Sequence, residues 1–443
     1  MLYRSDFDAI MPEKIKEIKE LFVKKEFSEI MSQIQNIVLN TFRLEGYHDK
    51  ALFLKEFDDI LDGISKHLNL EADNIDLKIN NKITILIGSE FYNVGGHTRL
   101  SREFVNLTDN VFVIVTDIYN RCNEGVEYYR LFQNMFENVP VVLIPPGSIL
   151  EKTKFLIMLL KNINPDRVIL MNHHDDPIGV TAIAQSRIPK KIYYHHADHN
   201  PALGATISKF MHVDSTPYLA SKCSKYCSSN YLPLMYDQKN FDVVKYNKDQ
   251  NFNTICVGSS IKFNFKKSEE NDYYPKVISE IGSLTNGLHY HIGALADSEM
   301  TILKEYYFDH GLDFERFKYL GAVNNIVEHI LRVNNPLFII SFPTAGGMTL
   351  IEALSTGVPL IDIRLNTNTN SDSSISYHQS QSILPSTTFQ YINKIDFLYV
   401  LQNIKDNYYN IVQENIQYFL STHASAAVEG EARKILFDDA MCT

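Results

Sequence analysis

The chain has 443 residues and a formal net charge of -11. One hydrophobic core rarely serves a chain of this length, so we expect at least two domains. Contents of 45% hydrophobic and 21% charged residues are typical of a globular protein and exclude general disorder. The negative charge disfavours a nucleic-acid-binding protein with a broad basic surface, although backbone amides and a few cations can still bind a nucleotide.

The cysteines and the amino terminus indicate the compartment. The five cysteines, an odd number, show neither zinc-ribbon nor redox spacing. The first residues include acidic side chains without the apolar segment of a secretory signal, and no apolar stretch reaches the length of a membrane span. We therefore expect a reduced, cytoplasmic protein. A basic and aromatic segment at Phe263 to Lys267 leaves open a peripheral contact with the inner membrane face.

Residues 1–80 have the pattern of an N-terminal helical segment. Apolar residues such as Phe27, Ile30 and Ile34 recur at steps of three and four, which is the spacing of an amphipathic helix. The pattern does not indicate what this segment does.

From Lys82 onward, short apolar runs alternate with helical stretches, and Gly, Pro, Asn or Asp bounds each run. Continuous apolar strands separated by helices are typical of a parallel sheet covered on both faces. The runs are Ile83 to Ile87, Val111 to Val115, Val141 to Ile144, Val168 to Met171 and Ile192 to Tyr194. They predict a Rossmann-like domain over residues 81–240.

The alternation restarts after a polar, aperiodic segment at residues 236–252. The new runs are Thr254 to Val257, His289 to Ile292, Phe317 to Leu320, Leu337 to Ile340 and Val358 to Ile361. They predict a second Rossmann-like domain over residues 250–400, followed by helices over 401–443 that pack back across both domains. The predicted fold class is α/β, with two doubly wound domains facing a cleft between the carboxyl ends of their sheets.

The strongest motif, Ser341 to Ile361, leads from a predicted strand through a loop of small residues into a helix. Gly346 and Gly347 allow the backbone to approach a ligand closely, and the start of the helix offers free N–H groups. Such an arrangement binds a diphosphate through amides and the helix dipole. Glu352, within the first turns of the helix, is placed to accept hydrogen bonds from ribose hydroxyls.

This segment resembles the donor-binding motif of GT-B glycosyltransferases, with its Gly-Gly … Glu-Ala-Leu … Gly-Val-Pro layout. The resemblance implies that Glu352 binds the ribose of a sugar nucleotide and that the loop binds its phosphates, at Thr344, Gly346, Gly347, Met348 and Thr349. Retaining members commonly have a second Glu eight residues before the first, where this chain has Thr344. The loop is closer to that of inverting members, such as the O-GlcNAc transferases and the bacterial adhesin N-glucosyltransferases, which favours inversion.

A second loop, Gly88 to Leu100, resembles the first loop of GT-B enzymes, where a glycine pair lies under the donor. Here the pair is Gly95 and Gly96. His97 stands where several inverting relatives keep a catalytic histidine, and an imidazole with a near-neutral pKa suits the deprotonation of an acceptor hydroxyl. Alternatively, His97 caps the helix or contacts a phosphate.

Two further strand ends, Asn172 to Asp176 and Tyr193 to Pro201, are rich in His and Asp. We interpret them as acceptor and donor recognition, with His196 and Asp198 as alternative candidates for the base. Neither segment has the helical spacing of His ligands, and GT-B enzymes generally work without a catalytic metal, so we expect no metal site.

Lys262 follows the first strand of the second predicted domain. In enzymes similar to the O-GlcNAc transferases, a loop at this place supplies a Lys to the donor diphosphate. A cation there is physically reasonable because, without a metal, it offsets the charge of the leaving group. Alternatively, Lys262 joins Lys266 and Lys267 on a solvated basic face.

Together these motifs predict a glycosyltransferase that moves a sugar from a nucleotide-sugar donor, with UDP as the expected nucleotide, to a glycan, lipid-linked or protein acceptor. We expect no cofactor beyond this substrate and no nucleic-acid partner, and a partner protein or a homo-oligomer stays open. Two alternatives remain, a sugar-nucleotide 2-epimerase and a non-catalytic GT-B subunit that stabilises a partner glycosyltransferase. The intact loop from Gly346 to Glu352 argues against such a subunit.

Overall fold

The computed structural model describes residues 4–43, 53–71, 82–92, 96–137, 139–196, 200–238, 242–263, 265, 274–363 and 375–438. The chain forms two compact units. The amino-terminal unit comprises Met1–Pro233 and Glu429–Thr443, and the carboxy-terminal unit comprises Leu234–Val428.

The elements up to residue 233 are α1 (Arg4–Val23), α2 (Phe27–Arg43), α3 (Lys55–Glu71), β1 (Thr84–Gly88), α4 (Gly96–Asn106), β2 (Val111–Val115), α5 (Val126–Met135), β3 (Val141–Leu143), α6 (Ile149–Ile163), β4 (Arg167–Met171), α7 (Pro177–Ala184), β5 (Lys190–His195), β6 (Met211–Asp214), α8 (Pro217–Cys223) and β7 (Ser229–Tyr231). The strands form one parallel sheet in the order β3-β2-β1-β4-β5-β6-β7. All five residues of β1 and of β4 are buried, as expected for the centre of a sheet with helices on both faces.

The remaining elements are β8 (Asn253–Val257), α9 (Tyr274–Thr285), β9 (His289–Ile292), α10 (Asp297–Asp309), β10 (Phe317–Gly321), α11 (Ile326–Arg332), β11 (Pro336–Ile339), α12 (Gly347–Leu354), β12 (Leu360–Ile363), α13 (Ile375–Ile383), β13 (Phe389–Tyr391), α14 (Lys394–Thr422) and α15 (Ser425–Phe437). Their strands form a second parallel sheet in the order β10-β9-β8-β11-β12-β13.

Each sheet has a point where the strand order reverses, because the chain moves outward from its first strand and then returns to that strand's other side. The reversal lies between β1 and β4 in the first sheet and between β8 and β11 in the second. Open α/β sheets bind ligands outside the carboxyl ends of the strands at such a point. The loops that follow these four strands are therefore the places to look for a site.

The predicted α/β class with two doubly wound sheets is confirmed, and each predicted apolar run corresponds to a strand. The periodic residues Ile30, Ile34 and Val38 are fully buried on α2, as the helical pattern predicts. Three strands were not predicted, β6, β7 and β13. None of the helices in the described ranges combines the length and apolar character that a membrane crossing requires.

Candidate functional site

A turn of small residues joins β11 to α12 at the reversal point of the second sheet. Residues 345–349 are half-buried, so a ligand can reach them, whereas Ser341 and Thr344 on the strand side are buried. The Ser341 hydroxyl donates to the Thr344 carbonyl at 2.9 Å, and the Thr344 N–H donates to the Lys262 carbonyl at 3.4 Å. The Thr344 N–H and carbonyl therefore both have hydrogen-bond partners within the protein, and these bonds hold the turn in place.

The first turn of α12 presents backbone donors. The first bond of the helix runs from the Leu350 N–H to the Gly346 carbonyl at 3.1 Å, so the N–H groups of Gly347, Met348 and Thr349 precede the helical ladder. Gly346, at the N-cap position, has no side chain with which to cap these N–H groups. The Thr349 hydroxyl donates to the Gly346 carbonyl at 2.8 Å, which holds the turn. This arrangement favours an anion at the helix start.

Lys262 lies directly over this turn. A Cβ atom built on Gly346 would meet the Lys262 Nζ and would lie 2.7 Å from the Thr349 Oγ1. The ammonium and the helix start thus converge on the same small space, which glycine leaves open.

The loop that carries Lys262 is anchored to the sheet. Gly293, with φ of 126°, packs so closely on the Gly258 carbonyl that a Cβ at Gly293 would lie 2.0 Å from its oxygen. Phe263 is 7% exposed and packs on Tyr274 with ring centroids 4.3 Å apart, and it forms a β-bridge with Pro343 in the neighbouring loop. Phe263 is therefore buried, and a membrane contact through the segment from Phe263 to Lys267 stays a prediction. Lys266 and Lys267 lie outside the described residues.

Glu352 is the sixth residue of α12 and only 4% exposed. It lies on the same helix face as Met348 and Thr349, because residues three and four apart are neighbours on a helix. The buried Glu352 side chain thus lies about one helical turn beyond the first N–H groups of α12.

In the amino-terminal unit, His97 lies near the reversal point of the first sheet, as the second residue of α4. Its Nε2 lies 3.0 Å from the Glu90 carbonyl. A carbonyl only accepts, so this contact assigns the proton to Nε2 and leaves the lone pair on Nδ1. Burial lowers the His97 pKa below its usual value, so the imidazole is neutral at pH 7.

Two more imidazoles surround His97. Its ring stacks on that of His196 with centroids 5.3 Å apart, and His173 meets it edge-on at 5.5 Å. Burial lowers the pKa of His173 to about 3 and that of His196 well below its usual value. The sequence placed His-rich segments at adjacent strand ends, and the structure brings these three rings together. Asp198 and Gly95 lie outside the described residues, and Gly96 begins α4.

Buried carboxylates fix the loops around these rings. Asp176 accepts from the Ser89 and Thr116 hydroxyls, both at 2.6 Å, and from the Ile178 N–H at 2.8 Å as the cap of α7. Glu90, which the sequence analysis did not single out, accepts from the Tyr128 hydroxyl at 2.5 Å, and burial raises its pKa. A carboxylate two residues after the end of an apolar strand is the signal that could have pointed to Glu90.

No protein-family model matches the sequence, and no curated protein is significantly similar to it. Solved structures share its fold. An O-GlcNAc transferase mutant from Thermobaculum terrenum gives a TM-score of 0.56 at 11% identity, over 97% of this chain and 80% of that one. The Anabaena protein HepE in complex with UDP and glucose gives 0.58 at 11% identity, over 80% of this chain and 99% of that one.

The lipopolysaccharide outer core galactosyltransferase WaaB gives a TM-score of 0.57 at 14% identity, over 80% of this chain and 99% of that one. This chain has the GT-B fold. Since identities of 11 to 14% establish a fold alone, the function of this GT-B chain is argued from its own residues.

Proposed function

We propose that the protein is a glycosyltransferase that moves a sugar from a UDP-linked donor to a glycan, lipid-linked or protein acceptor. The observation that carries this proposal is the start of α12, where the N-cap residue is a glycine and the Lys262 ammonium lies close to it. A pyrophosphate needs this combination of N–H donors and a cation.

The donor site follows from these contacts. The N–H groups of Gly347, Met348 and Thr349 bind phosphate oxygens, and Glu352 accepts hydrogen bonds from the ribose. When the bond between the sugar and the diphosphate breaks, negative charge develops on the leaving phosphate. Lys262 and the amides stabilise that charge, which lowers the barrier to transfer and makes an added divalent metal unnecessary.

His97 acts as the general base. Its neutral ring, with the lone pair on Nδ1, takes the proton of the acceptor hydroxyl as that oxygen attacks the sugar. A single attack of this kind inverts the configuration at the sugar. His196 is the alternative base, because its ring is also neutral and its Nδ1 is buried without a hydrogen-bond partner among the described residues.

The choice of UDP is supported by a relative of the same fold, since HepE was solved with UDP and glucose and with UDP-glucose. A 2-epimerase and a non-catalytic subunit are the alternatives. An epimerase converts the donor alone, whereas a non-catalytic subunit gives no product. Product analysis with and without an acceptor separates all three.

The test is a screen of UDP-, GDP- and CMP-sugars for slow donor hydrolysis by the full chain, without added Mg²⁺ or Mn²⁺. This assay needs no knowledge of the acceptor. We expect release of UDP and free sugar from at least one UDP-sugar, and thermal stabilisation of the protein by UDP. Absence of both turnover and stabilisation with every UDP compound would contradict the proposal.

A further inference from the structure

A second cluster of ionisable side chains lies in the amino-terminal unit, away from the reversal point of the sheet. It consists of His195, His212, Asp214 and Cys223, all of them buried. One ligand atom from each lies within 4.8 Å of the others. None of these four residues takes part in the proposed transfer reaction.

Sheet register and one short helix assemble this cluster. His195 on β5 is directly opposite Asp214 on β6, and His212 precedes Asp214 by two residues, which places both on the same face of β6. Cys223 is the last residue of α8. Since successive residues of a strand point to opposite faces, His195 enters this cluster while His196 joins the rings beside His97.

The distances match a tetrahedral metal site. Zinc bonds of about 2.0 to 2.3 Å place neighbouring ligand atoms about 3.3 to 3.8 Å apart. The His195 Nδ1 lies 3.3 Å from the Cys223 Sγ and 3.5 Å from the Asp214 Oδ1, and the Sγ lies 3.2 Å from that oxygen. These three atoms form one face of a tetrahedron, and the His212 ring is placed to supply the fourth corner.

The His212 ring is buried without the hydrogen bonds that usually accompany burial. Within the described residues, neither of its nitrogens makes a hydrogen bond of normal geometry, whereas the His195 Nδ1 contacts Cys223 and Asp214. Buried polar atoms are costly unless they are bonded, so each such atom needs an explanation. A metal ion that takes the lone pair of one His212 nitrogen would supply such a partner.

Charge balance favours a divalent cation. A Cys223 thiolate and the Asp214 carboxylate carry two negative charges and the two histidines carry none, so a dication makes the buried group neutral. When the metal binds, the thiol proton of Cys223 leaves to solvent and a metal–sulfur bond forms. The Ser229 hydroxyl, which donates to the other Asp214 oxygen at 2.5 Å, orients the carboxylate as outer partners of metal ligands do.

We infer that His195, His212, Asp214 and Cys223 bind one zinc ion in a closed structural site. Two nitrogens, one oxygen and one sulfur in tetrahedral array select zinc among common divalent ions. The ion ties the ends of β5 and β6 to α8. This departs from the sequence-based expectation of no metal site, because two of the ligands lie on β6, a strand that was not predicted, and Cys223 follows Asp214 by nine residues at the end of α8.

The experiment is metal analysis of the full chain, purified without a polyhistidine tag from zinc-supplemented cells. We expect about one zinc per chain and, after exchange for Co²⁺, the visible bands of tetrahedral cobalt with a sulfur-to-cobalt charge-transfer band. The variant Cys223→Ser should lose the charge-transfer band and most of the zinc. Cys227→Ser is the matched control, since this free thiol follows Cys223 by four residues and is not part of the cluster, and it should keep both.

His212→Gln provides a second test if Cys223→Ser fails to fold, and it should weaken zinc binding while the charge-transfer band of any bound cobalt is kept. The inference is overturned if the wild-type chain holds no zinc and gives no thiolate band with cobalt. It is also overturned if Cys227→Ser abolishes the band or if Cys223→Ser leaves zinc content and spectrum unchanged. These readouts do not depend on transferase activity, so their failure would leave the proposed function untouched.

Discussion

The ends of the two sheets present different chemistry at the same topological place. After β1 and β4, neutral imidazoles pack on one another, and buried carboxylates such as Asp176 are saturated with hydrogen bonds. After β8 and β11, glycines expose backbone N–H groups beneath Lys262. The first arrangement suits proton transfer and the second suits an anion, which are the two roles that the proposed function assigns to them.

The largest effect is expected from His97→Ala. If His97 is the base, transfer to an acceptor should fall by about 10²- to 10⁴-fold, the usual contribution of general base catalysis. Steady-state kinetics measure the rate of transfer, and a UDP titration measures the affinity for UDP separately. UDP affinity should stay unchanged, because the proposed diphosphate contacts are made by Lys262 and the start of α12.

His196→Ala is the control for this assignment, since its ring stacks on His97 and its pKa is lowered in the same way. A smaller loss in His196→Ala than in His97→Ala supports His97. The reverse order would assign the base to His196.

Removing the cation should have the next largest effect. In Lys262→Ala, the rate of donor cleavage should fall by about 10²- to 10³-fold, as when one group that stabilises transition-state charge is removed. The matched control is Lys304→Ala on the exposed side of α10, which should leave the rate unchanged. Equal rates in Lys262→Ala and wild type would contradict this role and favour the alternative that Lys262 belongs to a solvated basic face.

A side chain at Gly346 should block the anion without unfolding the protein. In Gly346→Val, the new atoms fill the space beneath the flexible Lys262 side chain, so loss of charged hydrogen bonds should weaken UDP binding about 10- to 100-fold. Gly430→Ala, where a Cβ meets nothing within 4 Å, is the control. Calorimetric titration measures the UDP affinity of both variants. Equal affinities would contradict the proposal that the turn binds the diphosphate.

The smallest effect concerns stability and pH. His173 is neutral when folded, with its pKa lowered by burial to about 3, whereas the unfolded chain protonates it near its usual value of 6.5. Below 6.5 the unfolded state binds more protons, so His173 reduces the free energy of unfolding by up to about 1.4 kcal/mol per pH unit as the pH falls. Denaturant unfolding at several pH values measures this dependence. The free energy of unfolding should fall less steeply with falling pH in His173→Gln than in the wild type, and identical slopes would contradict the prediction.

Most strands were predicted from the sequence, including β9 with its two histidines, whereas β6, β7 and β13 were missed. In β6, the apolar Met211 and Val213 alternate with the fully buried His212 and Asp214, so the run lacks the continuous apolar pattern of a buried strand. The short edge strands β7 and β13 have only three residues each, too few for a period to show.

For the candidate site, the sequence predicted motifs that lie within one segment, but it did not predict contacts between distant segments. The glycine turn and Glu352 stand in one segment, and the order of elements alone puts Lys262 at a neighbouring strand end. That the Thr344 amide bonds to the Lys262 carbonyl, or that His195 meets Cys223, depends on packing between segments far apart in the chain. No spacing in the sequence encodes such pairs.

A crystal structure of the wild-type chain with saturating UDP tests the central proposal most directly. The proposal predicts phosphate oxygens about 2.7 to 3.2 Å from the N–H nitrogens of Gly347 and Met348, with the Lys262 Nζ on the same diphosphate and the ribose at Glu352. UDP bound elsewhere, or no UDP at α12, would contradict it.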